Sequence, residues 1–219
     1  QATLMMNMPG TTEAIQFAKS NGFANNIGLH LNLVEGMPLT EEIRETAFCD
    51  SDGKFIGSTM KNYKYRIVLD SKSKKAIKRE IEAQIKAFIS TGIGFKHLDS
   101  HQHSHVNPSI LSILMPLLRE YGFEDIRLSR NLPYDKIDGI KRVIKDHVNK
   151  KVYNYNHQHS SKEIIAFGSI DDIKQTHFFK GNTEMMIHPI MVNGTLSEAF
   201  YSESIDKWWL ANELKFELL

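Results

Sequence analysis

The segment HLDSHQHSH, residues 97–105, gathers His97, Asp99, His101, His103 and His105 within nine positions. Side chains alternate between faces in an extended strand, so these five would share one face and Leu98, Ser100, Gln102 and Ser104 the other. Neutral imidazole nitrogens beside a carboxylate suit a divalent cation, zinc or magnesium among them. Two other histidines stand in comparable settings. In GLHLNL, residues 28–33, Leu29, Leu31 and Leu33 lie opposite His30 and Asn32. In EMMIHP, residues 184–189, Glu184, Met186 and His188 lie opposite Met185 and Ile187. Pro189, and the loop after His101, put both histidines at the carboxyl ends of their strands, where parallel α/β proteins assemble their sites.

The remaining candidates are weaker. His97 opens its strand and reads as a support. His157 and His159 have no apolar strand around them and read as surface loop. Arg127 suits the orientation of a carboxylate, and equally a structural ion pair. Cys49 is the sole cysteine and has no evident histidine partner, which excludes an internal disulfide and favours a reducing compartment.

Alternating strand and helix patterns must position these groups. Residues 3–8 (TLMMNM) read as a strand broken by Pro9-Gly10. A helix follows in TTEAIQFAKSNG, with Thr11 to cap it and Gly22 to end it. Residues 27–34 form a second strand, and a loop runs from about 35 to 70. KKAIKREIEAQIKAFI aligns Ile77, Ile81, Ile85 and Phe88 on one stripe of a long amphipathic helix. GFKHLDSH is a third strand. Asn107 and Pro108 then open a helix whose inward stripe runs from Ile110 to Tyr121. DIRLSR (125–130) is a fourth strand, 135–150 a helix, and TEMMIHP (183–189) the last clear strand. A final helix over 203–218 carries Ile205, Trp208, Trp209 and Leu214. IIAFGSI is a weaker strand candidate. Repeated strand and helix units predict an α/β fold with a parallel sheet, open or closed into a barrel.

The 219 residues suffice for one sizeable core, and a single domain over 1–219 is expected. A net charge of +1 gives no field to attract nucleic acid or an anionic membrane. No apolar run approaches the roughly 20 residues of a membrane-spanning helix. The chain opens at Gln1 inside a strand-like segment, so a preceding portion is expected.

TLMMNMPG, IGLHLNL, HLDSHQHSH and EMMIHP, in this order, resemble the YdjC-like carbohydrate deacetylases, the group that includes chitooligosaccharide deacetylase. With IRLSR and THFF between them, the resemblance runs from residue 2 to about residue 190, and HLDSH followed by alternate histidines is its specific part. It implies a distorted, TIM-like (β/α) barrel and metal-dependent removal of the N-acetyl group from a small, chitobiose-like sugar, with or without a phosphate. It implies metal ligation by His30 and His101. His188 is then the candidate for stabilising or protonating the intermediate, and His105 the candidate for contact with the substrate or with the groups behind it. Arg127 and Asn32 are the expected sugar contacts. The family's opening Asp-Asp-Phe-Gly strand has no counterpart, so the first β/α unit is expected to be missing. The expected partner is a small carbohydrate in a cytoplasmic setting, and Trp208 and Trp209 leave a homodimer open. Two rivals are a metal-dependent phosphoesterase with a His-x-His centre, which needs more ligands than are evident, and a non-catalytic sugar- or metal-binding module.

Overall fold

The computed structural model describes residues 2–94, 96–131, 139–156, 163–166, 183–200 and 205. Contacts divide the chain into two compact units, one of Gln1–Arg127 with Asn154–Gln158, the other of Leu128–Tyr153 with His159–Leu219. The expected helix over 203–218, the loop holding His157 and His159, and THFF lie outside the described residues, apart from a helical Ile205.

The first unit is built on a parallel sheet of order β1-β2-β3-β4, comprising β1 (Ala2–Leu4), β2 (Ile27–Leu31), β3 (His97–Ser100) and β4 (Asp125–Ile126). It is an α/β arrangement, as the alternation predicts. Helix α1 (Thr11–Ser20) joins β1 to β2. Two single-turn helices, α2 (Gly57–Lys61) and α3 (Tyr63–Ile67), interrupt the expected loop before the long α4 (Ser71–Ser90). Helix α5 (Pro108–Glu120) connects β3 to β4. The core forms where Leu29, Leu31, Leu98 and Ile126 of the sheet meet Ile77, Ile81, Ile85 and Phe88 of α4 and the Ile110, Leu114 and Leu118 stripe of α5, all buried. Gly28 is required between β2 and β3, because a Cβ there would lie 2.7 Å from the His97 carbonyl oxygen.

Several ends differ from the sequence reading for identifiable reasons. Gly10, not Thr11, occupies the N-cap of α1, and the Thr11 hydroxyl instead donates to the Met5 and Met8 carbonyls at 2.8 and 2.7 Å, closing the turn after β1. Asn107 stands at the N-cap of α5 with no capping bond, since its Oδ1 accepts from Arg66 Nε at 2.8 Å. By contrast Asp70 caps α4, accepting from Ser73 N at 2.9 Å. The fourth strand stops at Ile126, whose backbone N–H and C=O pair with the side-chain amide of Asn156 at 3.0 and 2.8 Å. A single asparagine thus satisfies groups that would otherwise need another strand.

The second unit contains α6 (Gly139–Tyr155, to Tyr153), β5 (Glu163–Ala166) paired in parallel with β6 (Thr183–Met186), and a hairpin of β7 (Pro189–Val192) and β8 (Thr195–Glu198). Beyond Leu128, Ser129 pairs with the Asn149 amide through both its backbone groups, at 2.8 and 3.0 Å. The expected strand 183–189 is two strands with Ile187 and His188 between them. Asn193 and Gly194, at φ +51° and +79°, form the two-residue turn that returns the chain as β8.

Candidate active site

Across the first sheet a row of polar side chains replaces the apolar pattern. Thr3 comes from β1, His30 from β2, Asp99 from β3 and Arg127 from the residue after β4. His30 and Asp99 are register partners on adjacent parallel strands, so both side chains leave the sheet on one face. His30 Nδ1 lies 2.6 Å from Asp99 Oδ1 and 3.0 Å from the Thr3 hydroxyl, while the Arg127 guanidinium pairs with Asp99 Oδ2. Asp99 has no exposed surface. Burial alone would raise its pKa, but the hydrogen bond from His30 and the charges of Arg127, His30 and His97 outweigh it, holding the carboxyl well below its usual range. An ionised Asp99 only accepts, so His30 Nδ1–H donates to it, and Nε2 is the nitrogen whose lone pair is free when the ring is neutral. That carboxylate–imidazole arrangement is the one that orients a metal-binding histidine.

The strand ends at Ser100, and His101–Val106 form a 3-10 turn in which Gln102 and His103 take left-handed φ of 49° and 56°. Two consecutive left-handed residues break the alternation expected for His101, His103 and His105, which do not share one face. His101 leaves β3 beside His30, with ring centroids 5.9 Å apart at 63°. Its Nε2 lies 3.5 Å from Glu35 Oε1. His103 stays within the turn, half-buried.

His105 folds fully inside. Its Nδ1 accepts from the Ser100 hydroxyl at 2.6 Å and its Nε2–H donates to the Arg127 carbonyl at 2.8 Å, tying β3 to the end of β4. Burial, with the charge of His103, pushes its pKa down to about 3, so the ring is neutral. Both nitrogens are engaged in the interior. His97 is likewise a buried support, with Nδ1 2.5 Å from Asp125 Oδ2.

Asn32 is also fully buried and occupied by the protein. Its Oδ1 accepts from Val34 N and Glu35 N at 3.0 and 3.2 Å, and its Nδ2 donates to Glu35 O and Asn7 Oδ1 at 2.9 and 3.0 Å. It shapes the loop that carries Glu35 to His101. Behind it, Gln84 of α4 bonds both backbone groups of Asn32 at 3.0 and 2.7 Å, and buried Glu80 accepts from Leu39 N, Thr40 N and Gln84 Nε2. Glu80 and Gln84 were not among the stripe residues named from sequence. Their positions three after Ile77 and Ile81 are the signal that places them on the apolar stripe.

In the second unit His188 precedes β7 with its side chain 54% exposed, and Glu198, at the register position opposite Pro189, is 1% exposed. Glu198 Oε1 accepts from His188 Nδ1 at 2.9 Å and from His188 N at 3.1 Å, and Oε2 accepts from Phe200 N at 2.7 Å. Sequence reading missed this glutamate, although the Asn193-Gly194 turn determines its distance from His188.

The residues of the first unit can be tested against a divalent ion. With metal–nitrogen bonds near 2 Å, two imidazoles sharing one ion have centroids roughly 4.5–6.5 Å apart. The 5.9 Å between His30 and His101 falls within that span. The buried carboxylate behind His30 leaves the correct nitrogen for ligation. Among the described residues no group of three or more His, Cys, Asp or Glu side chains forms a metal-holding cluster. The pair therefore fits as part of a coordination shell.

These features define an α/β protein with a histidine pair at the carboxyl end of a parallel sheet. The family model for YdjC-like protein matches residues 1–216, and the chain belongs to that family. A carbohydrate deacetylase of Brevibacillus brevis is 34% identical over 120 residues, 55% of this chain and 44% of that protein. One of Clostridium beijerinckii is 31% identical over 139 residues, 64% and 52% of the two chains. One of Thermoanaerobacter pseudethanolicus is 28% identical over 199 residues, 89% and 71%. The chain thus spans about half the length of the first two relatives. A crystal structure described as a cellobiose-phosphate cleavage protein of Enterococcus faecalis superposes with a TM-score of 0.63 at 19% identity, covering 88% of this chain and 71% of its own, and shares the fold.

Proposed function

We propose that this protein is a metal-dependent carbohydrate deacetylase, hydrolysing the N-acetyl group of a small, chitobiose-like amino sugar. The observation that carries the reading is the approach of His30 to His101, with Asp99 behind His30. Membership of the YdjC-like family and the naming of three relatives as carbohydrate deacetylases support it. A distorted (β/α) barrel is the complete architecture that goes with this reading.

His30, through Nε2, and His101 would hold the divalent ion, magnesium or zinc. When bound, the ion supplies Lewis acidity, polarising the acetamide carbonyl and making water more acidic. Asp99 fixes the tautomer of His30, and Arg127 fixes Asp99. His105 holds the turn that presents His101, contacting the groups behind the site. Asn32 likewise acts through the Glu35 loop and not on the sugar. Hydrolysis adds water across the amide, breaking the C–N bond and giving acetate and a free amine whose nitrogen must gain a proton. His188 is the acid assigned to that step, on the strength of the His188-Pro189 motif.

Acetate release from diacetylchitobiose tests the reading. Acetate and free amine should form in equal amounts, stop with chelator, and return with magnesium or zinc but not in His30→Ala. No acetate from the full-length protein under any of these metals would reject a deacetylase.

A further inference from the structure

An imidazole that is half-exposed at a surface normally rotates freely and divides its proton between two nitrogens. His188 has two fixed neighbours instead. Its Nδ1 faces Glu198 Oε1 at 2.9 Å, and the Phe200 ring packs edge-on against it, with centroids 4.7 Å apart at 89°. Glu198 is buried at the open end of the hairpin, opposite Pro189 and away from the Asn193-Gly194 turn, where a carboxylate is costly unless several donors meet it. It accepts from the backbone N–H groups of His188 and Phe200 as well as from the ring, so its two oxygens are fixed before the imidazole meets them.

We propose that Glu198 is the positioning residue of His188, holding the ring as the Nδ1–H tautomer with Nε2 directed outward. This rests on the deacetylase reading, in which His188 Nε2 delivers a proton to the departing amine. A carboxylate acceptor serves that role because it only accepts hydrogen bonds, which forces the proton onto Nδ1 and reserves Nε2 for exchange with substrate. The logic matches the orienting carboxylate of a catalytic triad, where loss of the carboxylate leaves the ring in place but in the wrong tautomer. Hairpin closure alone would not require the contact to the ring, because the two backbone bonds already accomplish it.

Two measurements on the full chain decide the matter. Long-range proton–nitrogen correlation spectra of the neutral wild-type imidazole should show the proton of His188 on Nδ1, and Glu198→Gln should move a substantial share of it to Nε2. A wild-type ring protonated at Nε2 overturns the proposal whatever the variants do. In acetate-release kinetics, Glu198→Gln should lower kcat about 10- to 100-fold with KM changed less than about threefold, a smaller loss than in a fully buried triad. Added to His188→Ala, it should cost nothing further. Equal losses in both backgrounds would make Glu198 a hairpin brace only. If wild type releases no acetate, the deacetylase reading fails, while the tautomer measurement still decides the pairing.

Discussion

Acidification should destabilise the protein through His105 before any carboxylate of the site responds. The ring is fully buried, and both nitrogens are committed, one accepting from Ser100 and one donating to the Arg127 carbonyl. A second proton would have to enter Nδ1 against burial and against the charge of His103, which is why its folded pKa lies at about 3 against 6.5 ordinarily. The folded pKa is depressed, so the contribution is fully present above pH 6.5. It is lost as pH falls toward 3, because the unfolded chain binds a proton that the folded one refuses. One proton is worth roughly 1.4 kcal/mol per pH unit, so about 2–3 kcal/mol should be gone at pH 4.5. Asp99 does not interfere, since its depressed pKa makes its contribution fall only below its ordinary 3.8. Urea unfolding of wild type and His105→Gln between pH 7.5 and 4.5 provides the assay. The variant should start less stable and lose less on acidification, with the two curves converging by about 2–3 kcal/mol. Parallel curves would show that His105 accepts its proton in the folded state and would refute the reasoning.

Two other outcomes follow from the same geometry. Asp99→Asn removes the acceptor that orients His30 and leaves Arg127 without its carboxylate; divalent-metal affinity by calorimetry should fall about 10- to 100-fold, and stability by about 3–5 kcal/mol. Gly28→Ala drives a methyl group against the His97 carbonyl and should cost about 1–3 kcal/mol in urea unfolding, by spreading β2 from β3.

The site was partly legible because strands impose a period of two. That period puts His30 opposite Leu29 and Leu31, and Asp99 opposite Leu98, so the row across the sheet can be anticipated once the register is known. The register itself is a tertiary fact, and with it came Thr3 and the pairing of Arg127 with Asp99. The histidine cluster misleads beyond Ser100 for a local reason. Gln102 and His103 adopt left-handed backbone without the glycine or asparagine that would announce it, so His101 and His105 part company. The α4 stripe was read correctly in its isoleucines, whereas Glu80 and Gln84, buried on the same stripe, went unnamed because a polar side chain does not announce burial by its type. In the second unit, Asn193-Gly194 marked a hairpin plainly, yet the apolar run before it was read as continuous strand through His188, which hid Glu198.

The most direct measurement is a zinc titration of the full chain, followed by calorimetry and by the imidazole nitrogen signals of His30 and His101. One ion per chain should bind, shifting His30 Nε2 and a ring nitrogen of His101 together, and either His30→Ala or His101→Ala should weaken binding at least tenfold. Stoichiometric binding that leaves both rings unshifted, or that survives both substitutions, would contradict a shared cation at this histidine pair.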